Sequence, residues 1–184
     1  MIGAQIVLAL QTIGSRNVDP LDSSVVSIGF IRGGSAYNVI PDDLHIGGTS
    51  RSFRPEVRDL LERRLGEIAR GVAALHGASA ETQYRRNYPP TINHAAETEF
   101  AAEVAAEICG PDQVIRDIAP SMGGEDFSFM LNARPGAMLW LGNGPGEDGC
   151  FLHNARYDFN DDALTTGVSF LVRLAERFLE KRRT

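Results

Sequence analysis

The order of hydrophobic patterns over residues 1–86 constrains the fold of this chain more than any other feature. Apolar residues recur every three or four positions over residues 2–13 and 57–75, which predicts two amphipathic helices. Segments 25–31, 44–53 and 78–86 have the composition and alternation of strands. The predicted order is α-β-β-α-β, which is a split β-α-β unit of the ferredoxin-like type (β-α-β-β-α-β) without its first strand.

A missing first strand has a physical consequence, because in the usual strand order it lies inside the sheet. Its absence leaves backbone donors and acceptors of the neighbouring strands without partners. The first predicted helix also starts at Met1, with no Ser, Thr, Asp or Asn before it to cap its free N–H groups. We therefore expect the domain formed by residues 1–88 to be incomplete at its amino end.

The segment Asn87-Tyr88-Pro89-Pro90 ends this pattern and predicts a domain boundary. Over residues 89–184 the periodicity predicts a helix near each end, a short helix from about Asp126, and two short strands at 114–118 and 137–141. The predicted fold class is therefore α/β: an α+β domain over residues 1–88, followed by part of an α/β domain over residues 89–184.

Composition excludes several classes of protein. The 184 residues are 43% hydrophobic and 23% charged, which is typical of a globular protein and not of a disordered or collagen-like chain. The net charge of −6 argues against nucleic acid or an anionic membrane as a partner. No apolar run approaches the ~20 residues of a membrane span, and two cysteines do not make a disulfide framework. We expect a cytoplasmic protein.

Two segments have residue spacings that resemble a metal site and a nucleotide-binding loop, but neither spacing is specific. Cys150 and His153 have the C-x-x-H spacing of metal ligands, but no second pair completes a four-ligand zinc site. The glycine-rich loop 142–146 follows an apolar strand, as a nucleotide-binding loop does. Its third glycine is misplaced for that motif, however, and Pro145 removes a backbone donor. A surface loop is therefore the favoured interpretation of 142–146 over nucleotide binding.

Two polar side chains near the second predicted strand are suited to binding a carboxylate. Arg51 offers a guanidinium that holds a carboxylate through two parallel hydrogen bonds, and the Asn38 amide adds a third. From composition alone, a surface ion pair is the alternative for Arg51.

Four segments, taken together and in order, point to one family. They are GGSAYNVIPD at 33–42, GTSR at 48–51, SMGGEDF at 121–127, and LHN at 152–154 with DFND at 158–161. In this combination the chain resembles the M20 metallopeptidase and amidohydrolase family. The resemblance is to the branch of hippurate hydrolases, N-acyl-amino-acid amidohydrolases and auxin-conjugate hydrolases.

The resemblance implies a two-metal catalytic domain interrupted by a smaller lid domain. Residues 1–88 then correspond to most of the lid, and residues 89–184 to the C-terminal part of the catalytic domain. The family holds two divalent ions (Mn, Zn, Co or Ni) through a Cys-Gly-His-Asp segment, a Glu-Glu pair, a further His and a final His. Only the final ligand has a match here, at His153, because the chain has no His-Asp and no Glu-Glu dipeptide. The general base belongs to that Glu pair, so no catalytic residue is assigned.

The resemblance also implies a substrate and an assembly. Asn38 and Arg51 are expected to hold the substrate carboxylate, and Gly123 and Gly124 to let the backbone approach the acyl group. The complete enzyme is then a metal-dependent hydrolase of small N-acyl amino acids such as hippurate, dimeric through its lid. We expect this chain to be its C-terminal part and to be inactive alone. The alternative is a non-catalytic dimerisation or carboxylate-binding module derived from the lid.

Overall fold

The computed structural model describes residues 1–144 and 152–181. The chain divides into two compact units. Unit 1 comprises Met1–Pro90 together with Ser121–Glu125, and unit 2 comprises Thr91–Pro120 and Asp126–Thr184.

Three helices form in unit 1: α1 (Ile2–Leu10), α2 (Thr12–Arg16) and α3 (Pro55–Leu75). The helices predicted over residues 2–13 and 57–75 are confirmed, the first as α1 followed directly by α2. Pro55 opens α3 in the first turn, where a missing N–H removes no helical hydrogen bond. Gly77 follows the end of α3 with φ +71°, a conformation that glycine adopts without steric cost.

The sheet of unit 1 is an antiparallel pair, β1 (Ser24–Arg32) and β2 (His45–Ser52). Ser24 lies opposite Ser52 at one end and Arg32 opposite His45 at the other, with an irregularity between Ile28 and Phe30. Both strand predictions in this region are confirmed.

The core of unit 1 lies between this sheet and the helices. Ile13 and Leu61 are completely buried within a cluster of residues from α1, α2, α3 and the segment after α2. Val26, Ile28 and Ile46 pack against the cluster from the sheet. One face of the hairpin is therefore covered by helices, and alternate side chains of β2 point to its opposite face.

The strand predicted at 78–86 is wrong. The segment has no strand assignment, and residues 79–87 form no backbone–backbone hydrogen bond with any described residue. The physical reason is that a strand requires a partner strand for its hydrogen-bond ladder, and no described residue supplies one to this segment.

Unit 2 is mainly helical. It contains α4 (Ala95–Cys109), α5 (Phe127–Ala133) and α6 (Asp162–Lys181), with a short 3-10 turn at Pro111–Gln113. The three predicted helices are confirmed, and the Asn160 side-chain oxygen accepts the Asp162 N–H at the start of α6.

The strands predicted at 114–118 and 137–141 are wrong, because neither segment has a strand assignment. Near the second of them, the Asn93 side chain takes the place of a neighbouring strand. It donates to the Met138 carbonyl at 2.8 Å and accepts from the Met138 N–H at 2.9 Å. Val104 and Ser128 are completely buried in this unit. Among the described helices, none combines the length and apolar character of a membrane span.

Candidate functional site

Arg51 projects from the face of the hairpin that the helices leave uncovered. Its neighbour Ser50 lies opposite Val26, whose side chain packs against the helical core, so Arg51 points the other way. Arg51 is exposed, and its Nη1 donates a hydrogen bond to the carbonyl oxygen of Met122 at 2.5 Å. This bond joins β2 to the segment Ser121–Glu125 within unit 1.

The guanidinium of Arg51 keeps most of its hydrogen-bonding capacity. It carries five N–H donors, and within the described part of the chain its only hydrogen bond is the one to Met122. No carboxylate among the described residues forms an ion pair with it. An exposed, fixed cation with free donors is suited to binding an anion in two-point geometry.

The two glycines that follow Met122 lie beside this guanidinium. A Cβ built on Gly124 lies 3.6 Å from Arg51 Nη1 and 3.4 Å from Cδ2 of Tyr88. The Gly123 N–H donates to the Ser121 hydroxyl at 3.3 Å, which shapes the turn. The structure therefore brings together three of the predicted site residues: Arg51, Gly123 and Gly124.

Asn38 lies apart from this group. It is exposed, in the turn of the connection between β1 and β2, where the Val39 N–H donates to the Ala36 carbonyl. That connection leaves the hairpin at the His45 end, whereas Arg51 lies six residues further along β2. At ~3.3 Å per residue, the distance from His45 to Arg51 along the strand is roughly 20 Å. Within the described part of the chain, no hydrogen bond joins Asn38 to Arg51.

His153 belongs to unit 2 and is exposed in a turn. Its φ of +68° makes it the only non-glycine residue in the described part of the chain with a left-handed backbone. A side chain pays a steric cost in that conformation, and such residues concentrate at functional positions. Asn154 stabilises the next turn by accepting the Arg156 N–H at 2.9 Å.

The residues that the structure describes do not fit a two-metal centre by themselves. Among them, no group of three or more His, Cys, Asp and Glu side chains is placed to hold a metal ion. One imidazole falls short of the three protein ligands typical of a catalytic zinc site. Cys150 and the loop residues from Pro145 onward lie outside the described residues, so the C-x-x-H and 142–146 interpretations stay predictions.

Two features of the site were not predicted from the sequence. The partner of Arg51 is the main-chain carbonyl of Met122, 71 residues away, which no side-chain pattern reveals. The sequence placed Tyr88 only in a domain boundary, but its ring lies against Gly124. An aromatic residue beside two prolines was the one sequence feature that could have indicated a role for Tyr88 in the site.

The sequence is similar to those of known proteins. A family model described as "Peptidase family M20/M25/M40" matches residues 4–177. The hippurate hydrolase of Campylobacter jejuni is 36% identical over 95% of this chain and 45% of its own length. The N-acetyl-L-cysteine deacetylase of Bacillus subtilis is 36% identical over 98% of this chain and 42% of its own.

A solved structure shares the fold. The YXEP protein of Bacillus subtilis, described as a dinuclear metal-binding peptidase from the M20 family, superposes with a TM-score of 0.73 at 29% identity. The match covers 97% of this chain and 45% of that protein. The chain thus spans less than half the length of these relatives.

Proposed function

Because the chain belongs to peptidase family M20, we propose that it supplies the substrate-carboxylate site of an enzyme that hydrolyses the amide bond of N-acyl amino acids. The observation that carries the proposal is the exposed Arg51 guanidinium, fixed by Met122 beside the Gly123–Gly124 turn. The names of the relatives support it, because hippurate hydrolase and N-acetyl-L-cysteine deacetylase both denote action on an acylated amino acid.

Recognition of the carboxylate falls to Arg51 in this proposal. The bond to Met122 restricts the rotamers of the long side chain, so less entropy is lost when a ligand binds. The N–H donors that remain donate to both oxygens of a carboxylate in a planar, two-bond arrangement. A lysine at this position keeps the charge but loses that arrangement.

Approach of the acyl group is the role proposed for Gly123 and Gly124. A side chain at residue 124 occupies space next to Arg51 and Tyr88, because its Cβ already lies within 3.6 Å of both. The absence of that side chain leaves room beside the guanidinium for the part of the substrate that follows the carboxylate. The Tyr88 ring borders the same space and offers an apolar surface to the substrate.

His153 is proposed as a ligand of the divalent metal ions that the family uses. Its left-handed backbone is the structural feature that supports a specialised role. One imidazole with no clustered partner among the described residues binds such an ion weakly. We therefore propose that the chain alone binds substrate carboxylates but does not turn substrate over.

Asn38 fits the proposal best in a homodimer. Roughly 20 Å of β2 lies between Arg51 and the end of the hairpin from which the connection with Asn38 leaves, so in this proposal the two side chains that hold one carboxylate come from two copies. Asn38 lies at an exposed turn, where it is accessible to a second copy. The proposed assembly is a dimer formed through unit 1.

The test is a comparison of two ligands that differ only in charge. Hippurate carries a carboxylate, and its primary amide hippuramide has the same acyl half without the charge. We expect saturable binding of hippurate to the chain, detected by ligand NMR, and at least about tenfold weaker binding of hippuramide, since a charge-assisted pair contributes about 1.5–3 kcal/mol. Equal binding of the two ligands contradicts carboxylate recognition.

A non-catalytic carboxylate-binding module is the second candidate, and the same Arg51 geometry favours it. The two functions separate in a hydrolysis assay with Mn²⁺, Zn²⁺ or Co²⁺. We expect no hydrolysis of hippurate by the chain alone. Metal-dependent turnover that His153→Ala abolishes would show that the chain carries the complete catalytic machinery and would overturn this expectation.

A further inference from the structure

A turn in the connection between β1 and β2 presents two neighbouring side chains, Tyr37 and Asn38. The Val39 N–H donates to the Ala36 carbonyl at 3.4 Å, so Tyr37 and Asn38 are the two central residues of a four-residue turn. Tyr37 is completely exposed, with a relative exposure of 113%. Within the described part of the chain, neither side chain forms a hydrogen bond. The ring and the amide are therefore both available to a molecule outside this copy.

The base of this connection is packed. Gly34 has a φ of +78° and lies against Pro41, since a Cβ on Gly34 would be 3.6 Å from Pro41 Cγ. A Cβ on Gly33 would be 2.8 Å from the Cβ of Leu44. The two ends of the connection therefore lie against each other, which restricts the positions available to the turn and lowers the entropy lost when the turn contacts a partner.

Further apolar side chains follow the turn. Val39 and Ile40 are exposed, like Tyr37. Large apolar side chains grouped at one exposed turn are typical of a surface that contacts another molecule. The proposed function already places a second copy of the chain here, because Asn38 of one copy holds the carboxylate together with Arg51 of the other. The second copy, with its bound ligand, is therefore the partner that covers the ring of Tyr37.

We propose that Tyr37 is a specificity residue of this site: its ring, supplied by the second copy, contacts the amino-acid side chain of the ligand that Arg51 holds. The inference rests on the proposed function, since it starts from a carboxylate held by Arg51 and Asn38. It narrows the ligand class to N-acyl amino acids with an apolar side chain.

The connectivity of the ligand assigns this contact to its side chain. In an N-acyl amino acid the carboxylate carbon is bonded to the α carbon, from which the side chain branches. Tyr37 is adjacent to Asn38, with ~3.8 Å between their Cα atoms, so a ligand whose carboxylate reaches the Asn38 amide has its α carbon near the Tyr37 ring. The Gly123–Gly124 turn borders the acyl group in the proposed function. The ring therefore meets the side chain and not the acyl group.

The ring of Tyr37, rather than its hydroxyl, carries the contact. A tyrosine ring offers a large apolar surface at a small cost in side-chain entropy. An exposed hydroxyl exchanges a hydrogen bond with water for one with the ligand, so the net gain is small. A ligand with an apolar side chain gains affinity by covering the ring, and an N-acyl glycine has no side chain to do so. Phenylalanine at this position should therefore replace tyrosine without loss.

The experiment compares two ligands that differ only in the amino-acid side chain. N-benzoyl-L-leucine and hippurate share the benzoyl group and the carboxylate, and only the first has an isobutyl side chain. Ligand NMR should show that the unmodified chain binds N-benzoyl-L-leucine about five- to tenfold more tightly, as half-burial of a leucine side chain predicts. Tyr37→Ala should reduce this ratio to about twofold or less and leave the affinity for hippurate unchanged within about twofold. Tyr37→Phe should keep the full ratio.

Two control variants separate this inference from the proposed function. Leu21 is another fully exposed large apolar residue of unit 1, so Leu21→Ala should keep the full ratio. Arg51→Ala should weaken both ligands at least about tenfold. If neither ligand binds, or both bind without Arg51, the proposed function fails and the role of Tyr37 fails with it. If binding depends on Arg51 but the ratio is unchanged in Tyr37→Ala, only the role of Tyr37 is overturned.

A mixed dimer tests whether the ring comes from the second copy. Arg51→Ala and Tyr37→Ala chains, coexpressed with different affinity tags and purified through both tags, give dimers with one chain of each kind. One site then combines Arg51 of one chain with Tyr37 of the other, so about one ligand per dimer should bind with the full ratio. If no such dimer is recovered, or if its ratio equals that of Tyr37→Ala alone, the second copy does not supply Tyr37 and the proposal is overturned.

Discussion

Replacing Leu61 by alanine should destabilise unit 1 by between about 2.5 and 5 kcal/mol. Leu61 is completely buried in the cluster that α1 and α3 form beneath the hairpin. Leu→Ala removes three carbons, which at ~0.8 kcal/mol each accounts for about 2.4 kcal/mol of transfer free energy. The cavity left behind adds a term that takes such substitutions up to about 5 kcal/mol.

The matched control is Leu75→Ala, the same substitution at the end of the same helix. Leu75 is 80% exposed, so its replacement should change the free energy of unfolding by no more than about 0.5 kcal/mol. Urea denaturation monitored by hydrogen exchange distinguishes the unfolding of the two units. Peptides from α3 report on unit 1, and peptides from α4 report on unit 2. Only the α3 peptides should lose protection in Leu61→Ala.

Equal stability of the two leucine variants would contradict the burial of Leu61 in a packed core. That result would mean that α1, α3 and the hairpin do not pack as a core. Arg51 would then project from an unsupported hairpin, and its fixed position beside Met122 would have no structural basis. A loss of protection in α4 equal to that in α3 would contradict the separate cores of the two units.

Three further outcomes follow from local contacts. The hydrogen bond from Arg173 holds the pKa of Glu107 below its ordinary value; this pair therefore stabilises unit 2 at neutral pH, and its contribution should disappear as the pH falls through the lowered pKa. Urea midpoints measured from pH 7 to 3 should fall less steeply in Glu107→Gln. The Ser50 and Tyr84 hydroxyls lie 2.7 Å apart, so a double-mutant cycle of Ser50→Ala and Tyr84→Phe should give a coupling of about 0.5–1.5 kcal/mol in urea denaturation, and no coupling would mean that this hydrogen bond does not form. At His153, where φ is positive, the Gly variant should be about 1 kcal/mol more stable than the Ala variant; equal stabilities would argue against the left-handed backbone.

Elements defined by local patterns could be predicted from the sequence. The periodicity of α3 and the alternation of β1 follow from which side chains face a core, and both elements form where expected. Residues 78–86, 114–118 and 137–141 have similar strand character, yet none is a strand. Strand formation depends on a neighbouring strand for hydrogen bonds, and local sequence contains no information on whether that neighbour is present.

The candidate site was predictable as a set of residues and not as an arrangement. Motifs singled out Arg51, Gly123 and Gly124, and the structure places them side by side. The same motifs paired Asn38 with Arg51, but no hydrogen bond joins these two side chains among the described residues. The distance between them depends on strand register and on the direction of the connecting turn, which a motif does not encode.

The central claim, that Arg51 binds the carboxylate of an N-acyl amino acid, is tested most directly by NMR of the arginine side chains. The Nε–H signal of Arg51 is assigned by its loss in Arg51→Lys, and Arg63→Lys provides the control, an exposed arginine on α3 paired with Glu67. Titration with hippurate should shift the Arg51 signal saturably and leave Arg63 unchanged, and hippuramide should shift neither. An Arg51 signal that stays fixed while hippurate binds would contradict the account.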